Sequence, residues 1–181
     1  TLNETTYIDI YDVSTPQNAK KIKSLSQSGI YKTSRFTNGY LYTFSFHLIM
    51  GECKNEKKIS EYIPSVNGKT MKENKIQKIV DDPVNSYVVM TSVNLAKPDD
   101  FSDTAAVLSD YTTYYMSTSH LYLANTIYEQ FLWNSSTKTA ISKFEYKDGA
   151  FSYQTTKKVK GQINDSYYMH EYKGNFAFVY T

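Results

Sequence analysis

Tyr114-Tyr115-Met116-Ser117-Thr118-Ser119-His120-Leu121-Tyr122-Leu123-Ala124-Asn125-Thr126-Ile127-Tyr128 decides how this chain is read. An aromatic run enters a polar turn at Thr118–His120. The return half alternates large and small residues, as a strand buried on one face does. Two other stretches follow the same plan. One is Tyr31-Lys32-Thr33-Ser34-Arg35-Phe36-Thr37-Asn38-Gly39-Tyr40-Leu41-Tyr42-Thr43-Phe44. The other is Tyr168-Met169-His170-Glu171-Tyr172-Lys173-Gly174-Asn175-Phe176-Ala177-Phe178-Val179. Each reads as a Tyr-rich strand, a tight turn and an apolar strand; Asn38-Gly39 is a strong hairpin signal in its own right.

Leu41-Tyr42, Leu121-Tyr122 and Phe176-Ala177 occupy equivalent places in the three copies, 80 and 55 residues apart. The shorter interval holds four strands and short turns. The longer one adds a polar stretch, Gly51–Asn74, of about 24 residues rich in Lys, Glu, Asn and Ser, which reads as an insertion or long loop. A unit of roughly 50 residues with four antiparallel strands is the signature of a propeller blade, which must pack on its neighbours to cover its faces. The middle blade then comprises 113–117, 121–128, 139–146 and 151–159, with 129–138 as a loop. The first comprises 30–36, 40–48, 87–95 and 104–108, with a short extra strand over 76–80. The last is half a blade, 167–172 and 175–181. Thr6–Val13 and Lys21–Leu25, separated by the turn cluster Ser14-Thr15-Pro16-Gln17-Asn18, form an orphan outer pair. The prediction is therefore all-β: four-stranded antiparallel blades of a beta-propeller, incomplete or open, because closed rings typically take about four to eight blades. A stretch of about three blades leaves two outcomes, an open half-propeller or two copies head to tail. In the second, Phe176–Val179 of one copy pairs with Thr6–Val13 of the other.

The bulk numbers fit this. A chain of 181 residues with net charge +2 has no basic field to hold a nucleic acid. Its 18 tyrosines suit half-buried sheet and contact surface. The single cysteine, Cys53, excludes an internal disulfide and a cysteine-based zinc cluster. No stretch approaches a membrane span, and no signal peptide is visible. A start at Thr1 and a stop at Thr181 within a strand read as cut ends.

The order of motifs resembles a known family: secreted bacterial proteins carrying a C-terminal beta-propeller distantly related to WD-40 repeats. The residues that carry the resemblance are Ile10-Tyr11-Asp12-Val13-Ser14-Thr15-Pro16, Ser28-Gly29-Ile30-Tyr31-Lys32-Thr33-Ser34-Arg35, Tyr62-Ile63-Pro64 and Tyr115-Met116-Ser117. Leu121-Tyr122-Leu123-Ala124, Thr139-Ala140-Ile141-Ser142-Lys143-Phe144, Val159-Lys160-Gly161-Gln162-Ile163 and Met169-His170-Glu171-Tyr172-Lys173-Gly174-Asn175-Phe176 continue it. The chain departs at Phe176-Ala177, where the family tends to carry Leu-Arg. The resemblance implies export and an extracellular or cell-surface role. It supplies no catalytic residues.

The residues themselves point to no catalytic group, metal or cofactor. His170-Glu171 lacks the second histidine of a metalloprotease helix, no Gly-x-Ser-x-Gly elbow occurs, and His47, His120 and His170 are dispersed. Asp99-Asp100 with Asp103, and Asp81-Asp82 with Asn85, supply oxygen ligands without an EF-hand spacing; solvated loop acids are the simpler reading. The sequons at Asn3, Asn134 and Asn164 read as chance matches in a bacterial protein. Arg35, the only arginine, stands on an inner strand where a planar donor clamps a carboxylate, of a ligand or, more simply, of a neighbouring blade. Tyr31, Tyr115 and Tyr168 lie on equivalent inner strands, with His170 and Glu171 beside the last. These six are the candidate ligand-binding residues. The function expected is a surface binding or scaffold module for a protein or glycan, as a homodimer or with the rest of a larger propeller. The alternative is a secreted hydrolase or lyase acting on polysaccharide or peptide. A third class is a structural piece of a wall-associated assembly.

Overall fold

Alternation becomes strand along most of the chain. The computed structural model describes residues 4–49, 62–79, 84–111, 113–131 and 134–181. They fold as two compact units, Thr1–Ser109 with Asp148–Ala150, and Asp110–Lys147 with Phe151–Thr181.

The first unit holds two sheets. One has the order β1-β2-β5-β6 (Thr5–Asp12, Lys20–Ser28, Ser65–Val66, Lys69–Thr70). The other has the order β3-β4-β8-β9-β7 (Ile30–Thr37, Tyr40–Leu48, Ser86–Asn94, Asp103–Leu108, Ile76–Lys78). β8 is covered on both faces from Ser86 to Val93, which its run of Val, Met and Thr tolerates. Ile8, Leu25 and Val93 form a core between the sheets, with Leu41 and Phe101 against it. A buried amide bridges them as well. The Gln27 side chain donates to Ser45 Oγ at 2.8 Å and the Val89 carbonyl at 3.3 Å, and accepts from Thr91 Oγ1.

The second unit holds the sheet β10-β11-β12-β13 (Thr113–Met116, His120–Phe131, Asn134–Lys147, Ala150–Lys160) and the pair β14-β15 (Met169–Tyr172, Asn175–Phe178). Tyr122, Ala124, Ile141, Ile163 and Met169 make its core, with Phe176 and Phe178 packed on it.

Three sequence expectations need correction. The stretch taken as a polar loop contains β5 and β6, a hairpin turning at Asn67-Gly68 that adds two strands to the orphan pair. Both turn residues have positive φ, 48° and 70°, the geometry an Asn-Gly pair adopts readily. The strand at 76–78 runs parallel to β9, so its sheet has five strands. The loop expected over 129–138 is the far end of two long strands, whose register runs from His120↔Glu145 to Phe131↔Asn134. Cys53, Asp81-Asp82 and the sequon at Asn3 lie outside the described residues.

Candidate functional site

The polar turn of the opening stretch is built by its own serines. Ser117 Oγ accepts from the backbone nitrogens of Ser119 at 3.3 Å and His120 at 2.9 Å. The Tyr146 hydroxyl donates to the Ser117 carbonyl, and the Tyr146 nitrogen to that of Ser119 at 2.8 Å. This fixes the first residue of β11, His120, with its ring over β14. There His120 Nδ1 stands 2.9 Å and 3.1 Å from the two oxygens of Glu171. Ser119 Oγ is 3.0 Å from the same nitrogen.

Glu171 is only 9% exposed. Burial alone would raise its carboxyl. The Ser117 hydroxyl, the His120 ring, the Tyr122 hydroxyl and the Lys143 ammonium outweigh that and hold it below its ordinary value. Its backbone nitrogen donates to the Tyr115 hydroxyl at 3.2 Å. Tyr122 and Phe176 stack at 3.9 Å between ring centroids, and Lys143 lies 5.5 Å over the Tyr122 ring. The Tyr122 hydroxyl is buried with no acceptor at hydrogen-bond geometry among the described residues. Burial raises its pKa, and the Glu171 charge adds to the rise.

The structure therefore gathers three of the six predicted residues: Tyr115, Glu171 and, 6.3 Å from the Tyr115 ring, His170. Tyr168 is in the same unit, half exposed in the 3-10 turn Ser166–Tyr168. Tyr31 and Arg35 belong to the first unit. Tyr31 is exposed with its hydroxyl 3.1 Å from Ser34 Oγ, and Arg35 is exposed on β3 opposite Tyr42. Sequence reasoning set His120 aside as dispersed. Its partner is 51 residues away, and only the strand register brings the two together. His47 is buried beside Tyr87, with Nε2 unpartnered among the described residues, and burial lowers its pKa. The loop acids are engaged: Asp103 with Lys75 at 2.7 Å, Asp100 with Asn67 at 2.8 Å. Among the described residues no three His, Cys, Asp or Glu side chains converge as metal ligands.

Antiparallel sheets of four strands, one of them extended by a parallel fifth, follow one another along the chain, as in the blades of a propeller. The sequence profile of the Beta propeller domain matches residues 1–181. The chain belongs to the beta propeller family. No curated protein matches it. The His120–Glu171 pair ties the turn between β10 and β11 to β14. No described helix is long and apolar enough to cross a membrane.

Proposed function

We propose that this propeller is a binding or scaffolding module displayed outside the cell. One observation carries the reading of binding over catalysis. Ser119 and Glu171 both sit on Nδ1 of His120. A nucleophile relay needs the serine on one ring nitrogen and the carboxylate on the other, so this cluster braces two blades rather than activating a hydroxyl. Support for export comes from the resemblance to secreted bacterial propellers related to WD-40 repeats. The test is a panel of glycans and extracellular proteins presented to the 181-residue chain, run beside a turnover screen on polysaccharides and peptides. Retention of a glycan or protein without turnover is the expected result. The alternative, a secreted hydrolase or lyase, rests on the His120–Glu171 pair acting as base and orienter. Turnover abolished by Glu171→Ala would establish it and overturn the binding reading.

A further inference from the structure

Two stretches that the sequence presents as loops, the lysine-rich segment before β7 and the turn before β9, meet in the first unit around a cavity of about 330 Å³. Its buried lining is apolar: Met71, with Val66 and Phe101 half-buried. Its exposed lining is polar and mostly basic: Lys69, Lys72 and Lys75, with Asn67, Thr70 and the carboxylate of Asp100.

The walls are fixed before any ligand arrives. Asn67 Oδ1 accepts from the Ser26 nitrogen at 2.9 Å, and its Nδ2 donates to Asp100 Oδ1 at 2.8 Å, so one side chain joins both loops to β2. The Met71 nitrogen donates to the Pro64 carbonyl at 2.9 Å. Across the cavity, Asp100 Oδ1 also accepts from the Phe101 nitrogen, and the Asp103 nitrogen donates to Ser92 Oγ. A preformed cavity loses little ordering entropy on binding.

The charges in it are not balanced. Lys75 is neutralised by Asp103 at 2.7 Å. Asp100 has only neutral donors, so its carboxylate counts against Lys69 and Lys72 and leaves the lining one positive charge in excess. Lys69 and Lys72 have no ion-pair or hydrogen-bond partner among the described residues. Two unpaired ammonium groups beside an apolar, preformed wall select a small anion with an apolar face. The volume lies at the small end of ligand cavities, which run from about 300 to 1,000 Å³.

We infer that this cavity binds a small organic anion of sugar size, its carboxylate or phosphate held by Lys69 and Lys72 and its body laid on Met71 and Phe101. The inference rests on the binding-module reading and names its ligand class. Calorimetric titration of the 181-residue chain with glucuronate, glucose 6-phosphate and glucose tests it. At least one charged sugar should bind, and neutral glucose roughly tenfold more weakly or worse, because a hydrogen bond to a charged group is worth about twice a neutral one. Which charged sugar binds separates a carboxylate from a phosphate ligand. Added salt should weaken the binding. Lys69→Glu with Lys72→Glu, both exposed and outside the cores, should abolish it; Lys69→Gln with Lys72→Gln should weaken it at least tenfold. Equal binding of glucose and the charged sugars, unchanged affinity in either double variant, or no binding of either charged sugar overturns the inference. If the panel above retains a glycan or protein while these titrations fail, only the cavity assignment falls; turnover in the screen overturns the module reading itself.

Discussion

A methyl group added at Gly29 would stand 2.5 Å from the Phe46 carbonyl oxygen and 2.8 Å from the His47 nitrogen, at φ +98°. Both are backbone atoms of β4 and have nowhere to go. Gly39 has a similar φ, +83°, but open space around it. Gly29→Ala should therefore cost about 3 kcal/mol or more, and Gly39→Ala only about 1 kcal/mol; thermal melts of the two variants check the contrast. At Glu171 the charge matters more than the shape. Its folded pKa lies below the ordinary value, so the carboxylate contributes stability that is present above about pH 4.5 and is lost as pH falls through the folded pKa. Glu171→Gln should lower the unfolding free energy from urea titration at pH 7 by about 1–2 kcal/mol. Below the folded pKa the variant and the parent should converge. A constant gap across that range would sink the pairing with His120.

Between elements, the Gln27 amide is the polar lock of the first unit, joining β2 to β4 and β8. Gln27→Leu leaves the Thr91 hydroxyl buried without its acceptor, for a loss of about 2 kcal/mol, and Thr91→Val in that background should restore part of it, because removing both partners is gentler than orphaning one. A double-mutant cycle on unfolding midpoints reads this directly. The same scale shows what the sequence discloses. Long elements such as β8 and β11 announce themselves by β-branched runs and alternation, and hairpins by Asn38-Gly39. β5 and β6, two residues each, are too short to show a period. Only the Asn67-Gly68 turn marked them, inside a stretch whose polarity argued for loop. The far ends of β11 and β12 were hidden for the opposite reason: Glu, Gln, Asn and Ser suit a hairpin arm as well as a loop. In the candidate site, the repeat marked Tyr115, His170 and Glu171 as strand residues, and they lie on β10 and β14. His120 was invisible because its role depends on a register that one sequence does not state.

At the level of the whole molecule the strand edges decide. β1 is the outer strand of its sheet, and among the described residues β15 pairs with β14 alone. In the two-residue hairpin β14–β15 the amides of Phe176 and Phe178 point away from the partner, as that of Glu171 does in reaching Tyr115. An edge of this kind templates further pairing. Light scattering of the 181-residue chain should show association that grows with concentration. Ala177→Lys, a charge on the exposed edge strand, should suppress it. A monomer at every concentration would mean that β15 is not an available edge.

The turns that close the hairpins also set how the protein ages. Asn38-Gly39 and Asn67-Gly68 are the sequence in which the glycine nitrogen most easily attacks the asparagine side-chain carbonyl, expelling ammonia and leaving a succinimide that hydrolyses to aspartate or isoaspartate. The Asn67 amide is held at both ends, by Ser26 and Asp100, which resists the rotation that attack requires. The Asn38 side chain is exposed and makes no hydrogen bond among the described residues. Stored at mildly alkaline pH, the protein should deamidate at Asn38 first and lose one unit from its formal charge of +2. Isoelectric focusing would follow that change as an acidic band, and peptide mapping would place it at Asn38 rather than Asn67.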